Sequence, residues 1–192
     1  MKIKKFSGKK AVAASQNVKE KDYWLNKLSG HLTKNHFPYD FKNKQGISIE
    51  PYKFKFSGEL FARLMKVSSA LDHILHMTLT AGAALLLQKY TAAEDIILGT
   101  SIYKQDMESD TEFINTVLLL RNHINPRLTF KELLKQVRQT IVEAIENQNY
   151  PIEILAERLY LPSSHDDQFP LFDIFVLLEK ENSHEVLKRE KF

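Results

Sequence analysis

A length of 192 residues is enough for one domain with a hydrophobic core of its own. Hydrophobic residues make up 43% of the chain and charged residues 27%, a balance typical of globular proteins that excludes an intrinsically disordered chain. The formal net charge is only +3, and charges of both signs alternate along the body of the chain. We therefore expect no nucleic-acid partner.

Composition also bears on covalent chemistry and location. The chain contains no cysteine, which excludes disulfides and cysteine-ligated zinc. No apolar run reaches the roughly 18 residues that span a bilayer, and no secretory apolar segment follows Met1. We expect a cytoplasmic protein with no membrane partner.

The first predicted element is a helix that follows a tail. Residues 1–18 lack regularly spaced apolar side chains, so we predict a tail or linker there. Residues 22–28 place apolar side chains at helical spacing, and Gly30 provides a stop. Residues 37–40 are predicted to form an extended or turn segment, because Pro38 disfavours helix in its predecessor.

A strand and two helices are predicted next. Aromatic residues alternate with lysines over residues 51–56, which predicts a half-exposed strand. Ser57 is a candidate N-cap for an amphipathic helix. The apolar face of that helix contains Leu60, Phe61, Leu64, Val67 and Leu71. Residues 74–90 are apolar on most sides and predict a buried central helix, with residues 83–87 in the core.

The second half of the chain combines two apolar strands with two helices. Residues 95–100 and 117–120 predict buried strands of an open sheet. Residues 129–132 match the capping box at the start of a helix that continues with helically spaced apolar residues. Pro151 is placed to begin another helix, a polar loop follows it, and residues 171–178 predict a long strand.

Helices and strands are mixed along the whole length, so the fold class is α/β (α+β), with a mixed sheet flanked by helices. We predict one lobe over residues 19–180. It lies between the tail of residues 1–18 and a charged tail of residues 181–192.

The sequence contains no self-contained active site. His73 and His76 match no metal-binding pattern, and an ordinary surface or core-edge pair is the favoured interpretation. His165 is followed by Asp166 and Asp167 in a predicted polar loop, where neighbours rarely orient one another. No glycine-rich phosphate cradle and no GxSxG nucleophile motif occurs. We predict no metal site and no catalytic residue in this chain.

Six segments, taken in order, resemble motifs of the condensation domains of nonribosomal peptide synthetases. They are similar to YWxxxL at residues 23–28, LPxD at 37–40, LLxRYTGQEDIVVGTP at 85–100, FVNTLALR at 113–121, DxPFE at 149–153 and PLFxxxF at 170–174. The resemblance covers residues 22–178. It implies a two-lobed fold similar to chloramphenicol acetyltransferase, in which this chain would be the carboxy-terminal lobe.

The chain also departs from the family pattern. The HHxxxDG motif, which supplies the family's catalytic histidine, occurs nowhere in the sequence. Residues 99–105 lack the arginine of the family's GTPxxGR loop, and Ala92-Ala93 replaces the GQ of YTGQED. The resemblance therefore implies a divergent or incomplete member that is inactive alone.

The resemblance also implies a function and partners. Condensation domains join acyl and aminoacyl groups by an amide bond, and both groups arrive as thioesters on the phosphopantetheine arms of carrier proteins. No directly bound cofactor is expected. The implied partners are carrier proteins, the amino-terminal lobe and neighbouring synthetase domains, and apolar surface exposed on a half-domain predicts self-association. The alternative is a non-catalytic carrier-protein-binding or scaffolding module.

Three residues are candidates for lining the substrate cleft: Thr100, Asn115 and Thr116. For Asn115 and Thr116, satisfying backbone groups beside a buried strand is an equal alternative. For Arg121 we favour a fold-stabilising ion pair over a substrate contact.

Overall fold

The computed structural model describes residues 8–32, 34–38, 51–101, 115, 117–161 and 171–179. Within these ranges the elements are α1 (Gly8–Gln16), α2 (Val18–Lys27), α3 (Gly58–Val67), α4 (Asp72–Thr91), β1 (Asp95–Ser101), β2 (Val117–His123), α5 (Phe130–Glu146), α6 (Ile152–Arg158) and β3 (Phe175–Val176). The predicted polar loop at 162–168 and the predicted tail at 181–192 lie outside the described residues.

In the described part of the chain, three strands form a mixed sheet in the order β2-β1-β3. Strand β1 pairs antiparallel with β2, from Asp95 opposite His123 to Ser101 opposite Val117. It pairs parallel with β3, where Thr100 lies opposite Val176. The interior of β1 is buried throughout. The mixed sheet flanked by helices confirms the predicted fold class.

A close approach explains the glycine in β1. A Cβ atom at Gly99 would overlap the ring of Phe172, just before β3. Only glycine leaves room for that ring, so this position allows the aromatic side chain to pack directly on the strand.

Helix α5 forms as its capping box predicts. The Glu132 amide donates to Thr129 Oγ1 at 3.3 Å, and the Thr129 amide donates to Glu132 Oε2 at 2.8 Å. The apolar residues that follow at helical spacing are buried, among them Leu133, Val137 and Ile141. The helix packs on β2 and α4, and its buried residues join the core.

Helix α1 occupies part of the segment predicted to be a tail. Ala13 is buried, and Lys10 forms an ion pair with Glu153 of α6. Apolar spacing did not predict the helix over Gly8–Gln16, because alanine favours helix without producing a regular apolar period.

Two predicted strands are absent or shorter in the described chain. Residues 51–56 carry no strand assignment and every one of them is exposed. The strand predicted over residues 171–178 is limited to Phe175–Val176. A period-2 pattern shows that a segment suits a sheet, but strand formation also needs a neighbouring edge.

Helix α3 forms with its predicted cap but is not buried, and helix α4 is less buried than predicted. The Leu60 amide donates to Ser57 Oγ at 3.3 Å, which confirms the cap of α3, yet none of the α3 residues is buried. In α4, Ala84 and Leu87 are buried whereas Leu86 is exposed, so only part of residues 83–87 belongs to the core.

No single helix among the described residues is long and apolar enough to cross a membrane. Helices α3 and α4 together satisfy length and composition, but they are bent by 112° at the turn between them.

Candidate functional site

Thr100 lies at the centre of the sheet, in β1, with no exposed surface. Its Oγ1 donates to the carbonyl oxygen of Val176 at 3.0 Å and lies 2.9 Å from His76 Nε2. The His76 ring nitrogen is also 3.3 Å from the same carbonyl oxygen. These contacts join β1, β3 and α4 at one point.

His76 is fully buried in this cluster. Burial lowers the pKa of His76 below its usual value, because desolvation disfavours the imidazolium, while the hydrogen bond to Val176 acts in the opposite direction. The ring is therefore neutral near pH 7. The contacts of the His76 ring tie α4 to β1 and β3.

Sequence reasoning missed this role for His76, although a signal was available. His76, Thr80 and Ala84 are four residues apart and all three are buried on one face of α4. His73 is exposed, so the two histidines do not face one environment. Within the described residues, no group of three histidine or carboxylate side chains could hold a metal ion.

Asn115 lies just before β2 and is buried. Its Nδ2 donates to the carbonyl oxygens of Gln148 and Tyr150 at 2.6 and 2.7 Å, and its Oδ1 accepts from the Ile152 amide at 2.9 Å. The side chain therefore satisfies the backbone at the start of α6, the structural alternative considered from sequence. A substrate contact stays a prediction, and Thr116 lies outside the described residues.

Arg121 in β2 forms an ion pair with the neighbouring strand. Its Nε and Nη2 lie 2.9 and 2.7 Å from the Asp95 carboxylate of β1. Its Nη1 donates to the carbonyl oxygens of Lys27 and Ser29, at 3.1 and 2.8 Å. The guanidinium thus links two strands to the carboxyl end of α2, where a positive charge is favourable.

A depression of about 690 Å³ opens beside this ion pair. It is lined by Lys27, Asp95, Arg121, His123, Gln136, Gln139, Thr140 and Glu143. Its charges are compensated within the chain, since Lys27 Nζ lies 3.1 Å from Glu143 Oε2 and Arg121 pairs with Asp95. The depression therefore carries no strong excess of either sign to attract a charged ligand.

Glu143 is the centre of the hydrogen bonds on one wall of the depression. Although partial burial acts to raise it, the pKa of Glu143 is lowered by hydrogen bonds from Gln139, Lys27 and Tyr23. The Tyr23 hydroxyl donates to Glu143 Oε2 at 3.2 Å. Burial, followed by the charge of Glu143, raises the pKa of Tyr23. The tyrosine is therefore a neutral donor here.

The family model and the similar proteins agree on one family for this chain. Residues 4–191 match the family model of the condensation domain. Bacitracin synthase 3 of Bacillus licheniformis is 33% identical over 167 residues, which are 84% of this chain and 3% of that protein. Tyrocidine synthase 3 of Brevibacillus parabrevis is 34% identical over 171 residues, 85% of this chain and 3% of that protein. The chain thus spans a small part of the synthases it matches.

Solved structures show the same fold. The X-domain from teicoplanin biosynthesis, at 21% identity, superposes with a TM-score of 0.67 over 83% of this chain and 36% of its own. It has also been solved in a complex with OxyB, at a TM-score of 0.68 with the same identity and coverage. A mutant starter condensation domain of rhizomide synthetase RzmA, in complex with C8-CoA and Leu-SNAC, is 20% identical with a TM-score of 0.61. That match covers 85% of this chain and 36% of the RzmA chain.

These solved structures confirm the predicted chloramphenicol acetyltransferase-like class, and this chain spans about a third of each of them. Together with the family-model match over residues 4–191, they show that the chain belongs to the condensation-domain family of nonribosomal peptide synthetases.

Proposed function

We propose that this chain is the carboxy-terminal lobe of a condensation domain and contributes to amide-bond formation between acyl and aminoacyl thioesters. The thioesters would be held on the phosphopantetheine arms of carrier proteins, with no cofactor bound directly by the chain. The observation that carries the proposal is the family match over residues 4–191. The fold of the RzmA domain, solved with C8-CoA and Leu-SNAC, supports it.

The contribution of this lobe would be positional. Holding an amine and a thioester in alignment supplies a large part of the rate enhancement of such a reaction. The contacts among His76, Thr100 and Val176 fix α4 and β3 to the central strand, which gives the lobe a rigid frame. The sequence lacks HHxxxDG, so we expect the chain to be inactive until the other lobe is supplied.

The proposal also covers the boundaries of the lobe and the location of the protein in the cell. We propose that the lobe predicted over residues 19–180 also includes α1, because Ala13 is buried and Lys10 pairs with Glu153. The absence of cysteine is consistent with a reducing compartment, and we propose the cytoplasm.

The alternative is a binding module that performs no chemistry. The complex of the teicoplanin X-domain with OxyB favours it, because a domain of this fold there binds another protein. This chain would then bind a carrier protein or a neighbouring synthetase domain.

Reconstitution in trans separates the two functions. The chain is mixed with an HHxxxDG-containing amino-terminal lobe from a related synthase and with loaded donor and acceptor carrier proteins, and amide product is measured by mass spectrometry. Controls omit the chain or replace the second histidine of HHxxxDG in the added lobe. Product that requires both lobes supports catalysis, whereas carrier binding without product supports the binding module. Neither binding nor product would contradict both.

A further inference from the structure

An apolar surface over residues 51–71 is left uncovered by the described part of the chain. We call it the aromatic face, and its aromatic members are Tyr52 (88% exposed), Phe54 (67%), Phe56 (45%) and Phe61 (54%). Since an aromatic side chain has roughly 150–250 Å² of surface, these four expose on the order of 500 Å². Their summed area equals that of the largest single apolar patch on ordinary monomers, where such patches are often functional.

The helical part of the aromatic face lies on α3, which is amphipathic but has no buried residue. Isolated helices shorter than about 12–15 residues are marginal in water, and most helices in proteins are stabilised by packing an apolar face. Helix α3 has 10 residues, and its apolar Leu60, Phe61 and Val67 are all exposed. The helix therefore has a face suited to a partner that the described chain does not supply.

The extended part of the aromatic face has the pattern of a strand. Tyr52, Phe54 and Phe56 alternate with Lys53 and Lys55, so one side is apolar and the other is basic. Ring centroids of Tyr52 and Phe54 are 6.2 Å apart, and those of Phe54 and Phe56 are 5.4 Å apart, which places the three rings side by side. No ladder partner for this segment occurs among the described residues, so its backbone is available for strand addition.

We propose that residues 51–56 become a β-strand paired with a sheet from the remainder of a condensation domain, and that the apolar face of α3 packs against the same part of that domain. This proposal rests on the proposed function. The chain spans 36% of the solved X-domain, so nearly two thirds of such a domain is available to supply the sheet edge and its apolar surface.

A second copy of this chain fits less well than the remainder of the domain. Stable protein interfaces bury about 1,200–2,000 Å² in total. Two aromatic faces of on the order of 500 Å² each would together bury about 1,000 Å², which falls below that range. A larger partner that also has an unpaired strand edge can cover the apolar face of α3 and pair with residues 51–56.

Hydrogen exchange with a matched pair of variants tests the proposal. The amides of residues 52–56 should exchange rapidly in the chain alone and at least about tenfold more slowly once the remaining segments of a related condensation domain are added. Phe54→Ser should leave the unfolding midpoint of the chain alone unchanged and weaken that association at least about tenfold. Tyr160→Ser, at a position 93% exposed and outside the aromatic face, should change neither.

Several results would overturn the proposal. Unchanged exchange at residues 52–56 in a mixture that forms a complex would do so, and so would equal affinity of the Phe54→Ser variant. Protection of these amides by self-association of the chain, or by a carrier protein alone, would assign the surface to another partner. Amide synthesis is measured separately. Amide product without protection of residues 52–56 would contradict only this proposal. Protection of residues 52–56 without amide product would contradict only the catalytic function.

Discussion

The central strand β1 and the helix α3 are both rich in apolar residues, but only β1 is buried. Strand β1 is covered by its two neighbouring strands and by α4, and Ile96 to Leu98 have almost no exposed surface. Helix α3 has a well-formed cap and an apolar face, yet none of its residues is buried. A local pattern thus determines whether a segment forms a helix or a strand, whereas its burial depends on which other elements are present.

Truncating the same residue type in both regions should give the largest contrast. Leu98→Ala removes a fully buried side chain and should lower the free energy of unfolding by about 2–5 kcal/mol, because a cavity remains in the core. Leu60→Ala, at an exposed position of α3, should change it by less than about 0.5 kcal/mol. Chemical denaturation measures both free energies of unfolding. Equal losses for the two variants would contradict the difference in burial between β1 and α3.

Arginine-to-lysine changes should separate the two regions again. Arg121→Lys keeps the charge but loses the forked contact with Asp95 and the carbonyl groups at the carboxyl end of α2, so we expect the free energy of unfolding to fall by about 1–3 kcal/mol. Arg63→Lys alters an exposed pair with Glu59 on α3 and should cost at most about 0.5 kcal/mol. Thermal unfolding of both variants provides the test; a larger shift for Arg63→Lys would refute the structural role of Arg121.

Removing the helix caps should have a smaller effect. Thr129→Ala deletes the capping box of α5, which packs on the sheet, and should destabilise the chain by about 1 kcal/mol. Ser57→Ala deletes the cap of α3 and should mainly increase fraying of that helix. Global unfolding combined with hydrogen exchange distinguishes these effects. A global loss from Ser57→Ala as large as that from Thr129→Ala would mean that α3 is part of the cooperative core.

The free energy of unfolding should depend on pH through His76, which is buried on α4. Because the pKa of His76 is lower in the folded chain than its unfolded value of about 6.5, its stabilising contribution is complete above that pH. It is lost as the pH falls through the folded pKa. Unfolding free energies at pH 7.5 and 5.5 should therefore differ more for the natural chain than for His76→Gln. The exposed His73→Gln control should retain the natural dependence, and an unchanged dependence in His76→Gln would refute this role.

Elements specified by local chemistry were predictable from the sequence. The reciprocal hydrogen bonds of Thr129 and Glu132 depend on residues three apart, and the apolar runs of β1 and β2 leave little alternative to a buried strand. The mixture of helices and strands along the chain indicated the fold class, and the order of the family motifs added its likeness to chloramphenicol acetyltransferase.

Features that depend on distant residues were not predictable in the same way. Asn115 satisfies backbone groups more than 30 positions later in the chain, and His76 meets Val176 across 100 positions. Residues 51–56 have the pattern of a strand but no partner within the described chain. Such contacts follow from the three-dimensional arrangement, which periodicity along the chain does not encode.

Hydrogen exchange along the chain, with and without the remaining segments of a condensation domain, tests the contrast between β1 and the aromatic face most directly. We expect slow exchange in β1 and β2 under both conditions. At residues 52–56 and in α3 we expect slow exchange only after those segments are added. Slow exchange of α3 in the chain alone, or exchange in β1 as rapid as in α3, would contradict it.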